Sequence, residues 1–215
     1  MCSRFEPKSR VDPFAPGVVF VGAALFSRRD DSRGNMACVY TVHATKKLLD
    51  RLKEPVEVPV VEPTTKLGNW YAKPLFWKPQ VALFINETTF LSVLVPLAPA
   101  STLLRRFPIV VAMTLEAHGV HRSFISAEID AMQSVGVSKT QSRQLVGVLN
   151  ELAFQADISR RLESEASELA IAMMLSRTPI GIMGKSYRFP DQALATVVEA
   201  TDHVGPDETT STTAG

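Results

Sequence analysis

Residues 70–95 read WYAKPLFWKPQVALFINETTFLSVLV, and this stretch decides the fold. Its aromatic and β-branched residues are typical of strands and group into three segments, residues 70–77, 80–85 and 89–95. Asn86, Glu87 and Thr88 supply turn residues between the last two segments. Short turns join antiparallel neighbours, so the stretch predicts an antiparallel meander.

The sequence around the meander predicts one earlier strand, at residues 37–43, followed by an amphipathic helix at 44–52. Later helices are predicted over residues 101–119, with a kink at Pro108, and over 126–132, 140–156, 159–176 and 191–199. A short strand is predicted at residues 135–138. Since strands come mainly first, we predict an α+β fold: a small antiparallel sheet, formed by the N-terminal strand and the meander, covered by helices from the C-terminal half.

Changes in composition set the expected domain limits. Residues 1–35 end in RRDDSRGN and show no sustained periodicity, so we expect a poorly structured extension and a native translation start at Met36. Residues 36–200 then form a single α+β domain. Residues 201–215 have almost nothing to bury and are expected to be a disordered tail.

Net charge and cysteine content limit the binding partners and the cellular compartment that we expect for this protein. The formal net charge of +1 provides no general attraction to nucleic acid or to anionic membranes. Two cysteines, Cys2 and Cys38, lack the spacing of a disulfide framework or a zinc site and favour a reducing compartment. The longest apolar run, residues 17–26, is half of the roughly 20 residues that a membrane-spanning helix needs. We therefore expect a soluble cytoplasmic protein.

No motif of established chemistry identifies a catalytic residue, a metal ligand or a cofactor site. His118 and His121 are separated by Gly119, which is expected to end a helix, so they do not share the helix face that a zinc pair needs. Gly181 stands too close to Gly184 for a nucleotide-binding loop ending in Gly-Lys-Ser. We expect no metal and no cofactor, and the sequence favours a protein that is not an enzyme.

Lys139, Thr140, Ser142 and Arg143 form the most suggestive polar group, because they lie where a predicted strand turns into a helix. Free N–H groups at a helix start attract anions, and these side chains would add donors for a phosphate or a carboxylate. The alternative is an ordinary capped helix, in which Thr140 is the cap and Lys139 and Arg143 are solvated.

A second set of residues predicts an interaction surface: Trp70, Tyr71 and Trp77 in the strand region, with Lys46 and Lys47 on the first helix. Exposed aromatic rings and lysines would serve a protein partner, a second copy of the chain, or stacked bases. The alternative is that the aromatic residues pack in the core and the lysines are solvated.

Three segments together resemble a bacterial family of domains of unknown function. Its members open with a strand and a TKKLL helix, matched by residues 45–49, and carry a tryptophan segment before a hairpin, matched by residues 69–72. Their Lys-Thr-x-x-Arg-x-x-x-Gly-x-x-Asn helix start is matched by Lys139, Thr140, Arg143, Gly147 and Asn150. The resemblance extends over residues 36–200. It implies a bacterial cytoplasmic protein and brings no activity with it.

Three functions stay open from the sequence. The first, favoured by the lack of reactive motifs, is a non-catalytic protein-interaction module, expected in an accessory or mobile-element operon. The second is a phosphate- or nucleotide-binding protein or enzyme that uses residues 139–143. The third is nucleic-acid binding, which the near-neutral net charge disfavours.

Overall fold

The computed structural model describes residues 39–56, 62–182 and 186–202, which form a central five-stranded sheet with helices on both faces. Its strands are β1 (Val39–Ala44), β2 (Trp70–Leu75), β3 (Val81–Asn86), β4 (Ser92–Pro96) and β5 (Ser134–Lys139). The helices are α1 (Lys46–Leu52), α2 (Leu103–Ala117), α3 (Arg122–Ala131), α4 (Arg143–Leu162), α5 (Glu168–Ser176) and α6 (Pro190–Asp202). A small hairpin, absent from the sequence prediction, pairs β6 (Ile180–Ile182) with β7 (Ser186–Arg188). The predicted α+β class is confirmed, whereas the predicted extension and nearly all of the predicted tail lie outside the described residues.

The sheet order is β4-β3-β2-β1-β5. The meander β2-β3-β4 is antiparallel, as predicted, but β1 runs parallel to both β2 and β5. The expectation of a purely antiparallel sheet is therefore wrong. Parallel neighbours require long crossover connections, which carry no local turn signal that a sequence pattern could reveal.

Successive side chains of each strand point to opposite faces of the sheet, and apolar side chains form a core on each face. The first core lies under α1, α2, α3 and α6 and contains an aromatic cluster around Phe107. The Phe107 ring stacks on Phe84 at 4.2 Å between centroids and meets Trp70 edge-on at 5.0 Å. The second core packs α4 and α5 against the opposite face, through Leu149, Leu152 and Leu175.

The helix limits depart from the prediction mainly in the second half of the chain. Residues 140–156 and 159–176 were expected to form two helices, but α4 continues to Leu162. The break falls at residues 163–167, which are polar apart from Ala166, and Ser167 Oγ accepts a hydrogen bond from Ala170 N and caps α5. Gly119 follows α2 with φ +75°, as expected of a residue that ends a helix. None of the described helices is long and apolar enough to cross a membrane.

The chain entering β2 is held by buried polar side chains. Glu128 of α3 is fully buried, and its carboxylate accepts hydrogen bonds from Lys66 N at 2.7 Å and Leu67 N at 3.2 Å. Asn86 donates from Nδ2 to Leu67 O at 2.7 Å. These bonds satisfy backbone groups that burial would otherwise leave unpaired, so they fix the amino end of β2.

We expect Tyr40→Phe to raise the free energy of unfolding by about 1 kcal/mol, because the Tyr40 hydroxyl is buried without a hydrogen-bond partner among the described residues. The same burial raises the pKa of this hydroxyl. Denaturant unfolding would measure the change, with Tyr187→Phe as the control, since the Tyr187 side chain is 73% exposed. A loss of stability in Tyr40→Phe would contradict the unpaired hydroxyl.

We expect Glu128→Gln to destabilise the fold by about 1–3 kcal/mol, because an amide offers one acceptor to two backbone donors. Glu116→Gln on the exposed end of α2 is the matched control, and it should leave the unfolding midpoint unchanged.

The pH dependence of the stability difference between the native protein and Glu128→Gln provides a second measurement. Burial raises the pKa of the Glu128 carboxyl, against the opposing effect of the two backbone donors. The folded protein therefore binds this proton more tightly than the unfolded chain. Between the unfolded pKa of about 4.3 and the raised folded value, this contribution to stability falls as pH rises. The stability advantage of the native residue over glutamine should shrink over that window, and an advantage that grows with pH would contradict the raised pKa.

Candidate functional site

The carboxyl ends of the three parallel strands lie together at one edge of the sheet. Ala44 at the end of β1 pairs with Lys139 at the end of β5, and Thr45 N donates to Ala72 O of β2 at 2.9 Å. The helix that follows β1 packs in the first core, whereas the helix that follows β5 packs in the second. Such a divergence of helices to opposite faces opens a crevice at the carboxyl ends of the strands, where ligands bind in open α/β sheets.

A cleft of about 410 Å³ lies between the start of α1 and the middle of α4. This volume lies within the usual range for small-molecule sites. The polar side chains of the lining come from three elements and their flanks: Thr45, Lys46, Lys47, Lys73, Asn150 and Asp157. Phe76, which follows β2, adds an aromatic ring.

Hydrogen bonds hold the polar side chains of the cleft in place. Lys73 Nζ donates to Asn150 Oδ1 at 2.8 Å, and Trp77 Nε1 donates to Asp157 Oδ1 at 2.5 Å. Burial lowers the pKa of the Lys73 ammonium; the Asp157 carboxylate opposes this shift, and the Lys47 charge adds to it. The described lining thus contains three lysines and a single carboxylate, that of Asp157.

Thr45 occupies the N-cap position of α1 without capping it. Its side chain makes no cap hydrogen bond, and its Oγ1 is buried with no partner among the residues that the structure describes. An unsatisfied buried hydroxyl is costly, and this one belongs to the lining of the cleft. The hydroxyl is buried beneath the surface of the cleft, so it leaves a local polar cost at the start of α1.

The predicted anion group lies at the neighbouring end of β5. Lys139 and Arg143 are exposed, and Thr140 is partly buried. The helix begins at Arg143, three residues later than predicted, because Ser142 rather than Thr140 is its N-cap. Ser142 Oγ accepts a hydrogen bond from Leu145 N at 3.2 Å, so this hydroxyl already serves the helix.

The predicted interaction residues separate into core and cleft. Trp70 is fully buried against Phe107, and Tyr71 is 3% exposed, with its ring 4.7 Å from that of His43. The Tyr71 hydroxyl accepts a hydrogen bond from Ser142 N at 3.3 Å. Neither ring is accessible to a partner, because β2 is an inner strand whose two faces are both covered. Trp77 is partly buried, and Lys46 and Lys47 are exposed at the cleft.

Sequence reasoning missed Lys73 and Asp157. Lys73 had a usable signal, since it is a charged residue inside an otherwise apolar strand. Asp157 had none, because an acidic residue on a helix is an ordinary surface feature. Asn150 entered the sequence analysis only through the motif that begins at Lys139.

One face of α4 links the two groups of residues. Arg143 and Asn150 are seven residues apart, as are Asn150 and Asp157, and this spacing places all three on nearly the same side of a helix. Gly147 lies between the first two, and a Cβ at that position would meet nothing within 4 Å. Among residues 39–56, 62–182 and 186–202, no group of three His, Cys, Asp or Glu side chains is placed to hold a metal ion.

Comparison with known proteins supports the family resemblance seen in the sequence. No curated protein and no solved structure matches the chain. One family model matches residues 41–193, a range that includes most of β1, the cleft and the start of α6. The chain therefore belongs to the family described as "Domain of unknown function (DUF6933)".

Proposed function

We propose that this protein binds a small phosphorylated ligand in the cleft at the carboxyl ends of β1 and β2. The observation that carries the proposal is the convergence of Lys46, Lys47 and Lys73 on a ligand-sized space that contains one carboxylate among its described lining residues. Lysine ammonium groups are common phosphate ligands, and each can donate several hydrogen bonds.

The environment of Lys73 supports an anionic ligand. Burial of its ammonium disfavours the charged form and lowers its pKa, Asp157 opposes this effect, and the neighbouring Lys47 charge adds to it. A bound phosphate would restore the electrostatic balance, and attraction between opposite charges is stronger where water is partly excluded. Lys139 and Arg143 extend the positive character along the same edge of the sheet.

The cleft is better suited to binding than to proton transfer. Its carboxylate, Asp157, already accepts a hydrogen bond from Trp77 and interacts with the charge of Lys73. A general base needs a free carboxylate or imidazole within reach of the substrate. We therefore propose a binding protein, acting in the bacterial cytoplasm where phosphorylated metabolites are abundant.

A protein-interaction module is the second candidate, and a separate surface supports it. Phe154 and Leu162 of α4 are 59% and 79% exposed, with Ile158 between them at helical spacing. Met174 of α5 is 37% exposed, and its sulfur lies 3.6 Å from Ser159 Oγ of α4. An exposed apolar stripe of this kind is typical of a surface that binds a protein or a second copy of the chain.

Binding of inorganic pyrophosphate to the full chain, measured by isothermal titration calorimetry, tests the proposal. We expect saturable binding that weakens as salt rises, because the interaction is between charges. Lys46→Met and Lys73→Met should each weaken binding by roughly tenfold, since a hydrogen bond to a charged group contributes about 1.5–3 kcal/mol. Lys66→Met is the control for net charge: its exposed side chain lies at the amino end of β2, opposite the cleft. Equal affinity in all three variants would refute the proposal.

Gly147→Ala separates a ligand effect from a folding effect. Because a Cβ there meets no atom within 4 Å, alanine should stabilise α4 by about 0.5–1 kcal/mol through helix propensity. We expect the same variant to bind pyrophosphate more weakly, since the methyl group projects from α4 between Arg143 and Asn150. Thermal unfolding and calorimetry on one sample measure both effects. Higher stability with unchanged binding would show that the ligand does not approach this part of α4.

A further inference from the structure

We infer that the ligand of the cleft is a nucleoside phosphate, with its base stacked on Phe76 and its phosphates held by Lys46 and Lys73. This inference rests on the proposed function and adds the chemical class of the ligand. It follows from the way charged and aromatic groups are separated along the cleft.

The cleft has a cationic end and an aromatic end. Lys73 and its partner Asn150 lie near the point where β1 and β5 finish, and Thr45 and Lys46 lie beside them. Phe76 comes three residues after Lys73 in extended chain, which corresponds to about 10 Å. A ligand that contacts both ends must carry its negative charge at one end and a flat apolar group at the other.

Phe76 is unusual among the described aromatic residues because it is both exposed and part of the cleft. Its side chain is 57% exposed, and Lys47 Nζ lies 5.4 Å from the ring centroid. A cation held over an aromatic ring orients both groups. The rest of the ring surface is open to solvent and can accept a base, since every nucleobase has a face that stacks on an aromatic side chain.

The charge distribution favours a single nucleotide over a nucleic-acid strand. Binding a strand requires a track of cations that follows many phosphates, and the formal net charge of this chain is only +1. Of the three lysines in the described lining, Lys47 lies over the Phe76 ring, so Lys46 and Lys73 remain for one or two phosphate groups. A nucleoside diphosphate matches this number of cations.

A second exposed phenylalanine, Phe154, provides a matched control for substitution of Phe76. Phe154 is 59% exposed, close to the 57% of Phe76. It lies on α4 one turn after Asn150, but it does not line the cleft. A general effect of removing an exposed phenylalanine should appear at both positions, whereas an effect of base stacking should appear only at Phe76.

Calorimetric titration of the full chain with ADP and with inorganic pyrophosphate tests the inference. We expect ADP to bind at least about tenfold more tightly than pyrophosphate, although pyrophosphate carries the higher charge. Phe76→Ala should weaken ADP binding by about tenfold and leave pyrophosphate binding unchanged. Phe154→Ala should leave both affinities unchanged. Equal thermal midpoints of the two variants would establish that both are folded.

Each other outcome has a definite meaning. If pyrophosphate binds and ADP binds no more tightly, the nucleoside class is refuted while the phosphate site stands. If Phe76→Ala and Phe154→Ala weaken ADP equally, Phe76 is not the stacking ring and the inference fails. If neither compound binds the native chain, the proposed function fails and the inference fails with it.

Discussion

The position of β1 between two parallel neighbours is the constraint on which the rest of the structure depends. Its pairing with β2 and β5 brings Thr45, Lys73 and Lys139 to one edge of the sheet, although they are far apart in the sequence. A connection between two parallel strands must also cross a face of the sheet. Here α1 lies on one face and α4 on the other, and the cleft lies between them.

The amino end of β2 and the carboxyl ends of the parallel strands differ in how well their polar groups are hydrogen-bonded. At the amino end of β2, Glu128 and Asn86 satisfy the backbone of the incoming chain with short buried hydrogen bonds. At the carboxyl ends, the Thr45 hydroxyl is left without a partner in the described part of the chain, and a cation is partly withdrawn from water. Unsatisfied and desolvated polar groups reduce stability, so the well-bonded edge offsets the cost of the second edge, where the cleft lies.

Helix α4 connects these features because its sides face different surroundings. One side packs in the second core through Leu149 and Leu152. Asn150 and Asp157 border the cleft, and the outward side carries the apolar stripe that begins at Phe154. A ligand and a protein partner would therefore bind to adjacent sides of one helix.

Much of the local structure was determined by the sequence itself. Turn residues and alternation predicted the meander, and Gly119 predicted the end of α2, because these signals act between near neighbours. The exposure of Lys46 and Lys47 also follows from a helical pattern. Tertiary structure decided the direction of β1 and β5, the burial of Trp70 and Tyr71, and the meeting of Lys73 with Asn150 and Asp157. The physical reason is that strand pairing and inter-element contacts join residues many positions apart, and local periodicity does not encode which distant segments will meet.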